Sequence, residues 1–305
     1  MPLTEEQLKE IETQRAATAP TRRAMSEGME ERLFTAHEVL DHGFVRVIDY
    51  MGNDSAIVQA ARVSYGAGTK KVSDDEGLIR YLMRHWHSTP FEMCEIKLHV
   101  KLPIFVARQW IRHRTANVNE YSARYSTLDR EFYIPAAERV GRQSEDNKQG
   151  TGAGYDAPTA ERIRAEMVQS GARDFDLYDL LIEKGGDYDL AREQARAVLP
   201  ASTYTQWYWK VDLHNLLHFL RLRADDHAQY EIRVYAEAIC EIVADWVPMA
   251  YRAFEDYRLG GAHLSDMGLA CARRLVAGEA VTQETSGMGG REWREFARAM
   301  GLPEE

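Results

Sequence analysis

Over EIKLHVKL (residues 95–102) apolar and polar positions alternate strictly, with Ile96, Leu98 and Val100 on one face and Lys97, His99 and Lys101 on the other. Side chains of a strand point to opposite faces in turn, so a period of two predicts a strand with one face in the core. FVRVIDYMG (44–52) and the aromatic, β-rich TYTQWYWKV (203–211) predict two more strands, and EFYIP (131–135) reads as extended. Elsewhere the apolar spacing is helical. It predicts a helix through AIVQAARVS (56–64), capped by Asp54 or Ser55, and one near GLIRYLMRHWH (77–87). Another covers PIFVARQWIRHR (103–114), with proline in its first turn, where the missing N–H costs nothing. A long helix runs from about Pro158 to Lys184, and a shorter one lies within 185–200, closed by Pro200. LHNLLHFLRLR (213–223) and the stretch 227–254 complete the set, and the tail after Gly260 keeps some helical pattern. YGAGTKKVSDDEG (65–77) and the Gly-rich 141–158 read as loops.

Helices and strands are intermixed and the best strand is one-sided. This favours an α+β fold, with an antiparallel or mixed sheet core, packed helices and long C-terminal helices, over a doubly wound parallel sheet. Residues 1–43 are expected to form a loosely docked arm, and 44–260 a single domain that carries the chemistry, with a surface insertion near 141–157. Residues 261–305 form a C-terminal extension.

Hydrophobic residues make up 45% and charged residues 28% of the 305-residue chain, values of an ordinary globular protein. No apolar run approaches a membrane span and the first residues are charged, so neither a membrane segment nor a secretory signal is expected. Cys94, Cys240 and Cys271 are scattered and form no CxxC pair, which fits a reducing, cytoplasmic setting. A net charge of −10 argues against a protein that coats nucleic acid. Yet Arg108, Arg112, Arg114, Arg124 and Arg130 crowd one short span against only Glu120 and Asp129. That density in an acidic body suggests a pocket for a small anion.

Neither of two standard phosphate-binding loops is present: YGAGTKK offers only a GxG fragment, and no GxxxxGK[ST] occurs. Phosphate would therefore be held by side chains, a task suited to the planar fork of arginine. An ordinary solvated face paired with Glu120 or Glu131 is the plainer account of these arginines. His214 and His218 stand four apart, and His85 and His87 flank Trp86, which raises a metal-dependent hydrolase as an alternative. No HExxH glutamate and no nearby cysteine accompanies them, so no metal site is assigned. A non-catalytic nucleotide- or RNA-binding protein is a further alternative, and it predicts steeply salt-dependent binding and no bound chromophore.

Arg112-His113-Arg114 followed after seven residues by Ser122 resembles the RHR-x7-S motif of the flavin-dependent thymidylate synthases. HSTPFEM (87–93), residues 103–126, FYIP, ARAVLP (195–200) and 213–233 also look like blocks of that family, in its order. The resemblance implies a homotetramer with active sites shared between subunits. It implies that dUMP is methylated to dTMP with 5,10-methylenetetrahydrofolate as carbon donor, and that NADPH supplies hydride through FAD. Transferred by position, it places FAD at Thr89, Arg112, His113, Arg114, Glu120, Asp212, Leu213, His214 and His218, with His87 beside the flavin. It places dUMP at Gln109, Trp110, Ile111, Arg112, Glu120, Tyr121, Ser122, Ala123, Arg124, Arg196 and Arg223. Arg223 is the catalytic residue in this picture, acting at N3 of the uracil. Where some members carry Asn-x-Arg, this chain has Asp212-Leu213-His214, and an aspartate cannot donate to a cofactor oxygen. Ser122 is expected to hydrogen-bond the nucleotide, since nothing in sequence supplies a base to activate it.

Overall fold

The computed structural model describes residues 4–63, 75–145 and 150–303. Residues 65–74 of the expected loop and 146–149 of the expected insertion lie outside the described residues, while 75–77 open the Asp75–Arg84 helix. The chain forms two compact units, Met1–Arg252 and Ala253–Glu305.

The first unit is built on β1 (Ala36–Val39), β2 (Gly43–Met51), β3 (Glu95–Pro103), β4 (Asn117–Glu120) and β7 (Tyr204–Asp212). These form an antiparallel sheet in the order β1-β2-β3-β7-β4. The small hairpin of β5 (Gly141–Gln143) and β6 (Thr151–Gly154) occupies the expected insertion. The alternation of β3 sets the register: Leu98 stands opposite Val47 and Trp209, and Val100 opposite Val45 and Trp207, all buried on the core face. Arg46, His99 and Tyr208 line up on the other face. EFYIP contributes a single bridge, Phe132 to Thr203, rather than a strand.

Helix limits follow from local hydrogen bonding. The third helix starts at Asp54, but its cap is Asn53, whose Oδ1 accepts the Ala56 N–H. Asp54 instead reaches across the fold and accepts the backbone N–H groups of Met249 and Ala250, at 2.9 and 3.0 Å. The helix expected over 103–114 ends at Trp110, where three-residue hydrogen bonds tighten the chain: Arg112 N–H to Gln109 C=O and His113 N–H to Trp110 C=O. The long helix spans Ala157–Ile182, capped by Asp156. The stretch 227–254 divides into Tyr230–Trp246 and Pro248–Phe254, because Pro248 cannot continue the hydrogen-bond ladder.

Helices Leu213–Arg223, Tyr230–Trp246 and Ile104–Trp110 meet the sheet through Trp110. Its fully buried ring lies 4.6 Å from Phe219, 5.2 Å from Trp209, 5.8 Å from Trp207 and 6.0 Å from Tyr235, centroid to centroid. Such aromatic pairs add about 0.5–1.5 kcal/mol each beyond burial. The expected arm is held rather than loose. Arg15 donates to the carbonyls of Glu31 and Leu33 and to Thr35 Oγ1. Met29 is fully buried, and Arg32 pairs with Asp245 at 2.5 Å.

The second unit contains helices Asp266–Val276, Gln283–Ser286 and Gly290–Met300, packed around Cys271, Met288, Trp293, Phe296 and Ala297.

Candidate active site

Asp212 sets the geometry of the site by ending β7 and starting the next helix. Its Oδ1 accepts the Asn215 backbone N–H at 2.9 Å, and its Oδ2 accepts the Asn215 side-chain Nδ2–H at 2.7 Å. With the helix start fixed, Asn215, His218 and Leu222 follow at intervals of three and four and share one face. They line a cavity of about 610 Å3, whose other walls are Arg223, Trp209 and Val211 of β7, and the Arg112-His113-Arg114-Thr115 turn beyond Trp110. Arg112, His113, Arg114, His218 and Arg223 are thus brought together from two segments a hundred residues apart.

The cavity is cationic, and the acidic partners that the plainer account supplies are elsewhere. Glu120 accepts from Thr205 Oγ1 at 2.8 Å, and Glu131 binds the buried Lys101. Among the described residues no carboxylate lies within 4 Å of Arg112, Arg114 or Arg223. Arg223 Nε instead donates to His113 Nε2 at 3.2 Å. Burial, reinforced by Arg223 and then His218, draws the His113 pKa down to about 4, so its imidazole is neutral at physiological pH. Burial also lowers the His218 pKa, helped by His214 and Arg221, and lowers that of Arg223. Arg112 and Arg114 are exposed and Arg223 is partly buried, so the desolvation cost of an unpaired guanidinium falls on Arg223, and a bound anion would offset it.

The other expected residues fall into distinct places. Ser122, Arg124 and Arg196 gather beyond the far end of β4: Arg124 pairs with Glu193 at 3.4 Å, and Arg196 Nε donates to the Glu193 carbonyl at 3.3 Å. Tyr121 donates its hydroxyl to the Thr127 carbonyl. Ser122 Oγ accepts the Arg124 N–H at 3.3 Å. Gln109 bonds to Gln229, and Ile111 is exposed. The side chains of Trp110, Leu213 and Ala123 are buried core. Thr89 opens the short Thr89–Glu92 helix, and His87 packs on Tyr81, with ring centroids 5.9 Å apart. His214 is half-buried. Among the described residues no three His, Cys, Asp or Glu side chains converge as a metal site. All three cysteines are buried, and burial pushes the Cys94 thiol up to about 12, far from a reactive thiolate.

Thr115, Trp209, Val211, Asn215 and Leu222 line the cavity without having been singled out in the sequence. The helical interval that joins Asn215 and Leu222 to His218 could have pointed to two of them. Trp209 and Val211 carry no such signal, because their burial reads simply as core.

Residues 46–249 match the family model described as thymidylate synthase complementing protein. The chain is 69% identical to a flavin-dependent thymidylate synthase of Ruegeria pomeroyi over 99% of this chain and 100% of that one. It is 61% identical to one of Gluconobacter oxydans, over 98% and 99%. The UMP/dUMP methylase PolB from Streptomyces cacaoi, in a crystal structure bound with 5-Br dUMP, is similar with a TM-score of 0.65 and 33% identity, covering 73% of this chain and 98% of that one.

Proposed function

The chain belongs to the family of flavin-dependent thymidylate synthases, and on that premise we propose that it methylates dUMP to dTMP. The carbon comes from 5,10-methylenetetrahydrofolate and the hydride from NADPH through FAD. In the overall balance dUMP, methylenetetrahydrofolate, NADPH and one proton give dTMP, tetrahydrofolate and NADP+. The observation that carries the reading is the cavity in which, among the described residues, Arg112, Arg114 and Arg223 stand without carboxylates.

The residues present fit FAD. Arg112 and Arg114 offer forks to its phosphates, and Trp209, Val211 and Leu222 supply an apolar wall for a planar ring. Held there, FAD would supply the redox chemistry that links NADPH to the transferred carbon. The chain's own groups bind and polarise. Arg223 places a fixed positive charge at the uracil N3 edge and stabilises the negative charge that develops on the ring, in a site partly shielded from water. Ser122, Arg124 and Arg196 bind the nucleotide. The buried cysteines take no part.

Our reading of the assembly is a homotetramer with shared sites. Ser122 and Arg124 leave the strand at one end of β4 and Arg114 enters at the other, about 13 Å away at 3.3 Å per residue. A second copy facing the cavity would bring the two groups together. The chemistry rests within residues 44–260, which contain every proposed site residue.

The test is dTMP formation by purified protein with FAD, NADPH and methylenetetrahydrofolate, with dUMP and UMP run side by side. Yellow protein whose NADPH oxidation requires dUMP is the expected result, and Arg223→Ala is expected to slow turnover about 100- to 1,000-fold. Colourless protein that takes up no FAD, or no dTMP from any mixture, refutes the proposal.

A further inference from the structure

We propose that His113 is a positioning residue for Arg223: as a neutral imidazole it accepts the Arg223 Nε–H and leaves both Nη groups free for the substrate. This rests on the function proposed above. A guanidinium has donors only, so the 3.2 Å contact requires the lone pair on His113 Nε2 and the proton on Nδ1. The ring that presents this lone pair is held from two sides. Its edge meets Phe219 at 5.0 Å and 79°, and His218 at 5.8 Å and 60°. Burial and two neighbouring basic groups keep it uncharged.

A neutral acceptor does what a carboxylate could not. An aspartate at this place would hold the guanidinium firmly but cancel the charge needed for the anion that develops on the substrate. Histidine fixes the direction of Nε–H and leaves the charge uncompensated, consistent with the lack of a carboxylate near Arg223 among the described residues. His113 then acts through Arg223, separately from any contact it makes with FAD.

The experiment is a double-mutant cycle on the FAD-saturated holoenzyme, with single-turnover dTMP formation from labelled dUMP and flavin content measured in every variant. The expected result is that His113→Leu slows turnover at least tenfold when Arg223 is present and less than twofold in the Arg223→Ala background. His113→Gln, whose Oε1 can accept where Nε2 does, is expected to recover most of the rate, and the loss should fall on kcat rather than on KM for dUMP. Equal losses in both backgrounds, or wild-type turnover in His113→Leu, would overturn the proposal while leaving the function intact. An unmutated protein that forms no dTMP would overturn the function and this role together.

Discussion

Replacing Asp212 decides between two roles for one carboxylate. The family resemblance gives it to FAD, whereas in the structure both of its oxygens are engaged by Asn215, at 2.9 and 2.7 Å. Removing an N-cap costs about 1 kcal/mol. The side-chain bond to Asn215 adds about another 1 kcal/mol. Asp212→Ala is therefore expected to destabilise the protein by about 2 kcal/mol, with a few tenths more from the lost negative charge at a helix N-terminus. In a unit the size of Met1–Arg252 each kcal/mol moves Tm by about 2 °C, so a fall of about 4 °C is expected. Asp212→Asn keeps one acceptor for the backbone N–H and should lose about half as much. The assay is thermal unfolding of FAD-free protein alongside FAD titration of the same variants. Capping lowers the Tm of the FAD-free protein and weakens FAD binding only as far as Asn215 and His218 lose their positions. A Tm within 1 °C of wild type in FAD-free Asp212→Ala, together with lost FAD binding, refutes the capping argument.

Other expectations follow from the same geometry. His99 is held at about 4 by burial, then by Arg46 and Lys101, against Gln206, which raises it. Its folded value thus lies below the 6.5 of the unfolded chain, so the unfolded state binds the proton first. Stability is full above pH 6.5 and falls as pH drops towards 4; His99→Gln should flatten the Tm-against-pH curve there, and an unchanged slope would count against it. Phe219→Ala opens a void beside Trp110 and Trp209 and should cost about 3–5 kcal/mol in urea denaturation. Lys101, 6% exposed, pairs with Glu131, whose side chain keeps 26% exposure, so Lys101→Ala should cost about 1–3 kcal/mol, less than breaking a fully buried pair. Lys101→Met with Glu131→Leu should recover most of that loss, and a double variant no better than the single would contradict a buried pair.

By itself the sequence determined the elements whose signals are local. The strict alternation of EIKLHVKL placed β3 and its core face, because a period of two has one meaning for a one-sided strand. The run of apolar positions from Leu213 to Arg223 placed the helix, and the RHR-x7-S motif singled out the arginine-rich span. β4 was not legible: Asn117–Glu120 is exposed throughout and has no apolar alternation, so its strand is imposed by pairing with β7. The early end of the Ile104–Trp110 helix was hidden for the opposite reason, since helical spacing persists beyond the point where the hydrogen bonds tighten. Only the tertiary structure decided that Glu120 would turn to Thr205 and Glu131 to Lys101, leaving the cavity arginines without carboxylates among the described residues. Periodicity reports which face of an element is buried, but the partner of a charge depends on which elements meet. That choice is made by long-range packing, here around Trp110, which carries Arg112 and His113 to the side of Arg223.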